Sequence, residues 1–319
     1  MTVDVTFWAR YAFAESQIIE ALQTVAGTRL RVVRDSQEAI GAVDDTDFFV
    51  LVDAPAEEAR AFMARVSSGT GRLAAMHFNS AGIEGFSSAG MPDAIRITQV
   101  KGALAPGIAE HVFALLLGLT RNLPASLAAQ GRNSWSAPEQ ESLSELRGKT
   151  MLLVGLGHIG RSVARLAKAF DMRVLVANRT ARDESGIDEI FGLQRLDECL
   201  PGADVVVLSI ALTPDTRHII DRRRLDLMRE TALLVNVGRG GLVDTNALAD
   251  ALIGGHLGGA GIDVAEPEPL APDHLLWQAP NLIVTAHCSG ISESGARRIA
   301  GQARESLVAW LAERQGQKP

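Results

Sequence analysis

One stretch limits the fold more than any other: Thr150-Met151-Leu152-Leu153-Val154-Gly155-Leu156-Gly157-His158-Ile159-Gly160. Met151 to Val154 is a short, β-compatible apolar run, as a strand buried on both faces should be. Gly155, Gly157 and Gly160 follow with the spacing G-x-G-x-x-G, and Val163, Leu166, Ala167 and Phe170 then recur at helical steps. Strand, tight turn and helix make a unit that binds a dinucleotide. The first glycine permits the turn, the second lets the backbone approach a pyrophosphate, and the third lets the helix pack close to the strand. The helix N-terminus offers unpaired N–H groups and a positive dipole end to the phosphates. Glycines also mark ordinary αβ turns; here the strand before and the helix after argue for the dinucleotide site. His158 and Ile159 lie inside the turn and join the three glycines as cofactor-contact candidates.

The chain has 319 residues, 47% of them hydrophobic, enough for two α/β domains with real cores. Its net charge is −7 and no long basic run occurs, which argues against a nucleic-acid partner. Arg222-Arg223-Arg224 reads as a solvated helix start. Met1 to Arg10 lacks the basic leader and apolar core of a signal peptide. The longest apolar patch, Val112 to Leu119, is too short to span a bilayer. Cys199 and Cys288 fit no metal or disulfide pattern, which points to a reducing compartment. The expectation is a soluble cytoplasmic protein with no membrane partner and no metal.

Before the fingerprint, strand and helix signals alternate. Val3 to Phe7, Leu30 to Val33, Phe48 to Val52, Leu73 to Phe78 and Ile95 to Val100 look like strands, with helices over Glu15 to Val25 and from Pro55 to Val66. This predicts a small doubly wound parallel sheet. A helix over Ala109 to Leu119 follows, then a loop-rich excursion marked by Pro124, Gly131, Asn133 and Pro138 and holding Trp135. From the fingerprint onward, Val174 to Ala177, Asp204 to Ile210, Leu233 to Val237, Gly259 to Val264 and Leu282 to Thr285 complete a second parallel set, with helices near Arg222–Met228 and Asn246–Ile253. The tail, Ser292 to Arg314, is one helix that cannot extend this sheet and is expected back on the first block. The fold class is therefore α/β, with two doubly wound domains and a cleft between them. The expected division is residues 1–98 plus 288–319 for a substrate domain and 99–287 for a dinucleotide-binding Rossmann domain.

The end of the second nucleotide strand bears on cofactor choice. An NAD site usually has Asp or Glu there, accepting from the ribose 2′-OH. Here the strand ends Asn178-Arg179-Thr180, and no carboxylate occurs until Asp183. Asn and Thr can hydrogen-bond a 2′-phosphate, and Arg can neutralise it and stack on adenine. NADP(H) is favoured, with NAD(H) possible if Arg179 is only a solvated loop arginine.

In doubly wound sheets the ligand crevice lies beyond the carboxyl ends of the strands. Three such ends hold polar stretches: Asn236-Val237-Gly238-Arg239-Gly240-Gly241, Asp263-Val264-Ala265-Glu266-Pro267-Glu268-Pro269-Leu270, and Thr285-Ala286-His287-Cys288-Ser289-Gly290. Together they supply one Arg, several carboxylates and one His. Reduction of a 2-oxo acid uses this inventory. It needs a fixed cation for the carboxylate or carbonyl, an acid near neutrality to protonate the oxygen, and a carboxylate to orient the imidazole. The other six histidines read as structural, apart from His158 in the glycine turn.

The ordered series of motifs resembles the D-isomer-specific 2-hydroxyacid dehydrogenase family over about residues 75 to 312. The matches are Ala81-Gly82, Ala109-Glu110-His111, Leu146-Arg147-Gly148-Lys149-Thr150, the glycine fingerprint, Leu212-Thr213-Pro214-Asp215-Thr216, Asn236-Val237-Gly238-Arg239-Gly240, Glu266-Pro267-Glu268-Pro269-Leu270 and His287. The resemblance implies a catalytic set of Arg239, Glu268 and His287, with Glu268 selected over Glu266. It implies further cofactor contacts at Ile210, Thr216, Val237, Gly238 and Ser289, and Asp263 facing the nicotinamide. It also implies that backbone N–H groups near Ser80, Ala81 and Gly82 hold the substrate carboxylate with Arg239, and that the protein is a homodimer. The Asn178-Arg179-Thr180 end is similar to that of NADPH-using glyoxylate/hydroxypyruvate reductases.

Ala286, Cys288, Ala265 and Ala211 depart from the family's usual residues but remove no reacting group. Hydride transfer needs no covalent step, so Cys288 reads as packing. Reduction of a small 2-oxo acid with His287 as proton donor is the function expected. A phosphite-type dehydrogenase or a cofactor-sensing binding protein on the same fold are the competing readings. Glu268 argues against a formate enzyme, where the histidine partner is a glutamine.

Overall fold

In the computed structural model, which describes residues 2–69, 71–136, 143–180, 184–314 and 316, the alternating pattern forms two wholly parallel sheets. Pro138 and Asp183 lie outside the described residues. The chain divides into two compact units, Met1–Leu104 with Ile291–Pro319, and Ala105–Gly290.

The first unit contains β1 (Val3–Trp8), β2 (Thr28–Val33), β3 (Phe48–Leu51), β4 (Ala75–Phe78) and β5 (Arg96–Gln99) in the order β2-β1-β3-β4-β5. This is a doubly wound order of the flavodoxin-like kind. Every residue of β3 and β4 is buried, so their sequences are continuous rather than alternating. The two-residue period sends neighbours to opposite faces. Trp8, Phe49, Leu51, Met76 and Phe78 meet Phe62 and Phe86 on one side. That side is covered by α2 (Ser36–Ala42), α3 (Ala56–Ser67) and α4 (Glu84–Ala89). Val5, Phe7, Phe48 and Val50 form the other core with α1 (Glu15–Gln23) and the C-terminal helix α11 (Glu293–Arg314). Ile299, Ala303, Leu307 and Trp310 are the buried stripe of α11, and Trp310 packs on Phe48 with ring centroids 5.3 Å apart. The tail therefore does return to the first sheet.

The second unit opens with α5 (Ala105–Thr120) and α6 (Leu123–Gly131). It continues through β6 (Thr150–Val154), α7 (His158–Ala169), β7 (Arg173–Asn178), β8 (Glu189–Gly192), α8 (Leu196–Cys199), β9 (Val205–Leu208), α9 (Arg222–Leu227), β10 (Leu233–Asn236), α10 (Thr245–Ile253), β11 (Gly259–Ile262) and β12 (Leu282–Val284). The strand order is β12-β11-β10-β9-β6-β7-β8. The order reverses between β6 and β9, which is where a dinucleotide sits in such sheets. Helix α5 approaches the sheet closely because Gly261 makes room for Leu115 and Gly118 makes room for Ile283. Among the described residues no single helix is long and apolar enough to cross a membrane.

Five elements differ from expectation, among them α8, a single turn of four residues. Helix α6 occupies part of the stretch read as loop, because Pro124 falls in the first turn of a helix, where its missing N–H costs nothing. Helices α2 and α4, with seven and six residues, are too short to show a helical period. Strand β8 is an edge strand of four residues with no fully buried position, so it carries no apolar run.

Replacing Trp310 with Ala removes the largest side chain that α11 buries. The expected loss is about 3–5 kcal/mol, measured as a lower urea midpoint of equilibrium unfolding.

Candidate active site

At the fingerprint, each glycine has a separate steric cause. Gly155 has φ +100°, and a Cβ there would stand 2.9 Å from the Ile210 backbone nitrogen. Ile210 thus packs where β6 and β9 part. At Gly160 a Cβ would run into the Gly155 carbonyl, so the helix could not lie so close to the strand. Gly157 has open space where its Cβ would be. No protein atom requires glycine there, which fits a backbone cleared for a phosphate. Gly157 is also the N-cap of α7 and provides no side-chain cap, so the first-turn N–H groups keep their capacity for an anion. Gly157 and His158 are exposed and Ile159 half-buried. These residues fit a dinucleotide pyrophosphate. At the end of β7, Asn178 Nδ2 donates to the Thr180 carbonyl at 3.2 Å, while Arg179 and Thr180 are exposed. Arg179 has no ion-pair partner among the described residues.

The other cofactor candidates are tied into the protein. Thr216 is buried, and its hydroxyl donates to the Ala211 carbonyl at 2.8 Å and accepts from the Thr213 N–H at 2.7 Å. Val237 is buried, and Gly238 N–H donates to Asn236 Oδ1 at 3.1 Å. The Asn236 side chain also donates to the Arg239 carbonyl at 2.9 Å, closing the turn after β10. Arg239 is half-buried, and its Nη1 donates to the Gly238 carbonyl at 2.9 Å.

Strands β10, β11 and β12 are adjacent and in register, with Asn236 beside Ile262 and Ile262 beside Val284. Arg239, the segment from Asp263 to Glu268, and His287 therefore all emerge from one edge of one sheet. Glu268 Oε1 and His287 Nδ1 are 2.8 Å apart. A carboxylate only accepts, so Nδ1 carries the hydrogen and Nε2 is the nitrogen left for proton exchange. Both side chains are substantially exposed, 54% for His287 and 41% for Glu268, so a ligand can reach the ring.

Asp263 builds the loop that carries His287. Its carboxylate accepts from Thr285 Oγ1 at 2.6 Å, from Cys288 N–H at 2.9 Å and from Ser289 N–H at 3.0 Å. Its backbone carbonyl accepts from His287 N–H at 2.8 Å. His287 itself has φ 49°, a left-handed conformation that these bonds maintain. Asp263 is 1% exposed, so its oxygens serve Thr285, Cys288 and Ser289 rather than an open face. His111, from α5, supports the same network with Nε2 2.9 Å from Thr285 Oγ1. A structural role for His111 is what the sequence suggests, but the partner is not legible there; the signal for it is a place in the Ala109-Glu110-His111 motif. Burial pushes the Asp263 carboxyl up. Hydrogen bonds from Ser289 and Thr285, with the Ser289 and Cys288 N–H groups, outweigh it and hold it below the usual carboxylate range.

Ser80, Ala81 and Gly82 follow β4 in the first unit. Ser80 Oγ accepts from Asp53 N–H at 3.0 Å, and Asp53 in turn accepts from Gly85 and Phe86 N–H at the start of α4. Gln99 Nε2 donates to the Ser80 carbonyl at 3.1 Å and also to that of Ala81. With the carbonyls held this way, the loop's shape is set independently of any ligand.

Comparison with known proteins points to the family that the sequence motifs resemble. Residues 113–289 match the D-isomer specific 2-hydroxyacid dehydrogenase, NAD binding domain. The chain is 36% identical over 234 residues to a glyoxylate reductase of Aeropyrum pernix, covering 70% of this chain and 68% of that one. It is 34% identical over 222 residues to a glyoxylate reductase of Pyrococcus horikoshii, covering 68% and 66%. The matched part thus spans about two thirds of these relatives' length. Among solved structures, the TT0316 protein of Thermus thermophilus superposes with a TM-score of 0.82 at 32% identity, covering 99% of this chain and 98% of that one.

The Asp263 carboxyl has a depressed folded-state pKa, so its stabilisation is present above the unfolded value, about 3.9, and is lost as pH falls through the lower folded value. Asp263→Asn puts an amide NH2 against N–H donors and should cost about 1–3 kcal/mol at neutral pH. The gap between variant and wild type, from urea unfolding, should shrink as pH falls below the unfolded value and through the lower folded one, as the carboxylate is protonated. An undiminished gap in acid would contradict this account of the loop.

Proposed function

Because the chain belongs to the D-isomer specific 2-hydroxyacid dehydrogenase family, we propose that it reduces a small 2-oxo acid of the glyoxylate or hydroxypyruvate type to the D-2-hydroxy acid, with NADPH as the preferred hydride donor. The observation that carries the reading is the 2.8 Å contact of Glu268 with His287 Nδ1, at the sheet edge that also bears Arg239. The glyoxylate reductases it resembles support the substrate class.

The nicotinamide, when bound, supplies a hydride to the carbonyl carbon. Arg239 binds the substrate carboxylate and draws charge from the carbonyl, so that the developing alkoxide meets a cation. His287, with Nδ1 held by Glu268, donates the Nε2 proton to the oxygen. The proton and hydride together convert the ketone or aldehyde carbon to an alcohol. Glu268 keeps one ring nitrogen engaged and leaves the other aimed outward. The pyrophosphate is held by the Gly155–Gly160 turn, and Asn178, Arg179 and Thr180 take the 2′-phosphate. Residues 1–98 with 288–319 serve as the substrate domain and 99–287 as the cofactor domain. The protein works in the cytoplasm as a homodimer; exposed Leu123, Leu127 and Trp135 offer apolar surface for such pairing.

Turnover is read from the loss of NADPH absorbance with glyoxylate, hydroxypyruvate or pyruvate. His287→Ala should lower kcat by roughly 10²–10⁴-fold with little change in NADPH affinity. Arg239→Ala should raise KM and lower kcat together. Near-wild-type turnover in His287→Ala would remove the role assigned to it, and no reduction of any of the three acids would remove the proposed substrate class.

Arg179→Ala should raise the KM for NADPH about tenfold and leave that for NADH nearly unchanged, as expected for one lost charge-assisted hydrogen bond. Equal kcat/KM with the two cofactors in the wild type would refute the NADPH preference.

A further inference from the structure

Glu266 stands two residues before Glu268, and its side chain is engaged elsewhere. Arg217 grips it with two bonds, Nη1 to Oε2 at 2.5 Å and Nη2 to Oε1 at 2.9 Å. His218 Nε2 lies 3.6 Å from Oε2. The Glu266 backbone carbonyl accepts from Thr245 Oγ1 at 3.0 Å. Against this segment lies the turn that follows Arg239. A Cβ on Gly240 would collide with the Ala265 carbonyl, so the two backbones touch directly. A Cβ on Gly241 would stand 3.1 Å from Glu266 Oε2, so that carboxylate packs over the turn. The third participant is the Arg217-His218 pair, which reaches both sides. Its side chains hold Glu266, and the His218 N–H donates to the Gly241 carbonyl at 2.7 Å.

We infer that Glu266, clasped by Arg217 and His218 over Gly240 and Gly241, is a positioning residue that holds the Glu268 segment and the Arg239 turn in one fixed relation. The inference rests on the reading of Arg239, Glu268 and His287 as the reacting set. Glu268 and Arg239 come from different strands, and the His287 that Glu268 orients must meet the same substrate as Arg239, so an error in their relative placement falls directly on the rate. The Arg217 and Glu266 side chains are 50% and 38% exposed. An ion pair that exposed adds little to global stability, so its effect should appear in kcat rather than in folding. The Arg217 guanidinium also holds the Glu266 carboxyl below its ordinary range, so the clasp stays charged in mild acid.

The test uses full-length Glu266→Ala and Arg217→Ala, with the double variant. Three quantities are measured: kcat with glyoxylate and NADPH, NADPH affinity by fluorescence titration, and amide hydrogen exchange over residues 263–270 without ligand. Each single variant should lose roughly ten- to a hundredfold in kcat, keep its NADPH affinity, and exchange faster over that segment. The double variant should be no slower than the slower single one, because both changes break the same contact. Glu266→Asp should regain part of the rate and Glu266→Gln less. Wild-type kcat and exchange in Arg217→Ala, with His287→Ala inactive, would overturn the clasp and leave the proposed reaction standing. Wild-type turnover in His287→Ala would overturn the reaction instead, and the exchange rates would still decide whether the clasp exists. If Glu266→Ala does not fold, Arg217→Ala, changed at a half-exposed position, carries the test alone.

Discussion

The carboxylate of Asp263 is the interaction on which the candidate site depends. It is buried at the end of β11 and would be costly there without partners. The chain supplies them from a single direction: the Thr285 hydroxyl and the N–H groups of Cys288 and Ser289, all just past β12. Satisfying that one anion bends the chain sharply enough to put His287 at φ 49°. A residue with no reacting role thereby decides where the residue assigned the proton goes. The cost of an unpaired buried carboxylate is larger than the strain of one left-handed residue, so the loop yields and the anion does not.

Parallel topology supplies the rest of the arrangement. In a parallel sheet every strand ends on the same edge, so residues that follow β10, β11 and β12 are brought together without long loops. Close backbone approach then does what side chains cannot. Gly240 lies on the Ala265 carbonyl, and Gly160 lies on that of Gly155. In both places glycine is required by neighbouring protein atoms. Gly157, with open space around it, is the exception, and it is the glycine of the three that faces outward as the cap of α7.

Local chemistry was legible in the sequence, and long-range pairing was not. The strand-turn-helix of the fingerprint is legible within residues 150–170 alone, and the α/β class follows from alternation of periods. The choice of Glu268 over Glu266 was likewise available, through resemblance. By contrast, the donors to Asp263 lie 22, 25 and 26 residues downstream, and the Arg217 partner of Glu266 lies 49 residues away. No periodicity reports such pairs. Short elements escaped for a different reason. Strand β8 has no buried position to form an apolar run, and α4 begins at Glu84 because Asp53, more than thirty residues earlier, accepts from its first-turn N–H groups. Pro124 marks a loop by composition, yet proline is equally at home in a first helical turn, where α6 places it.

Between Asp263 and Glu268 the chain carries three carboxylates in six residues, and each is put to a different use by its surroundings. Asp263 is sealed from solvent and collects hydrogen bonds, so it acts as a fixed anchor. Glu266 is partly exposed and paired with a guanidinium, so it links two segments while adding little to stability. Glu268 is the most open of the three, and it alone pairs with an imidazole whose other nitrogen remains available. Chemically similar side chains thus form a gradient from buried and structural to exposed and accessible along six residues of chain. The order follows from geometry. A chain leaving a buried strand must pass from core to surface, so the residue at the strand end can serve only the protein and the residue farthest along can orient the exposed imidazole assigned to the substrate.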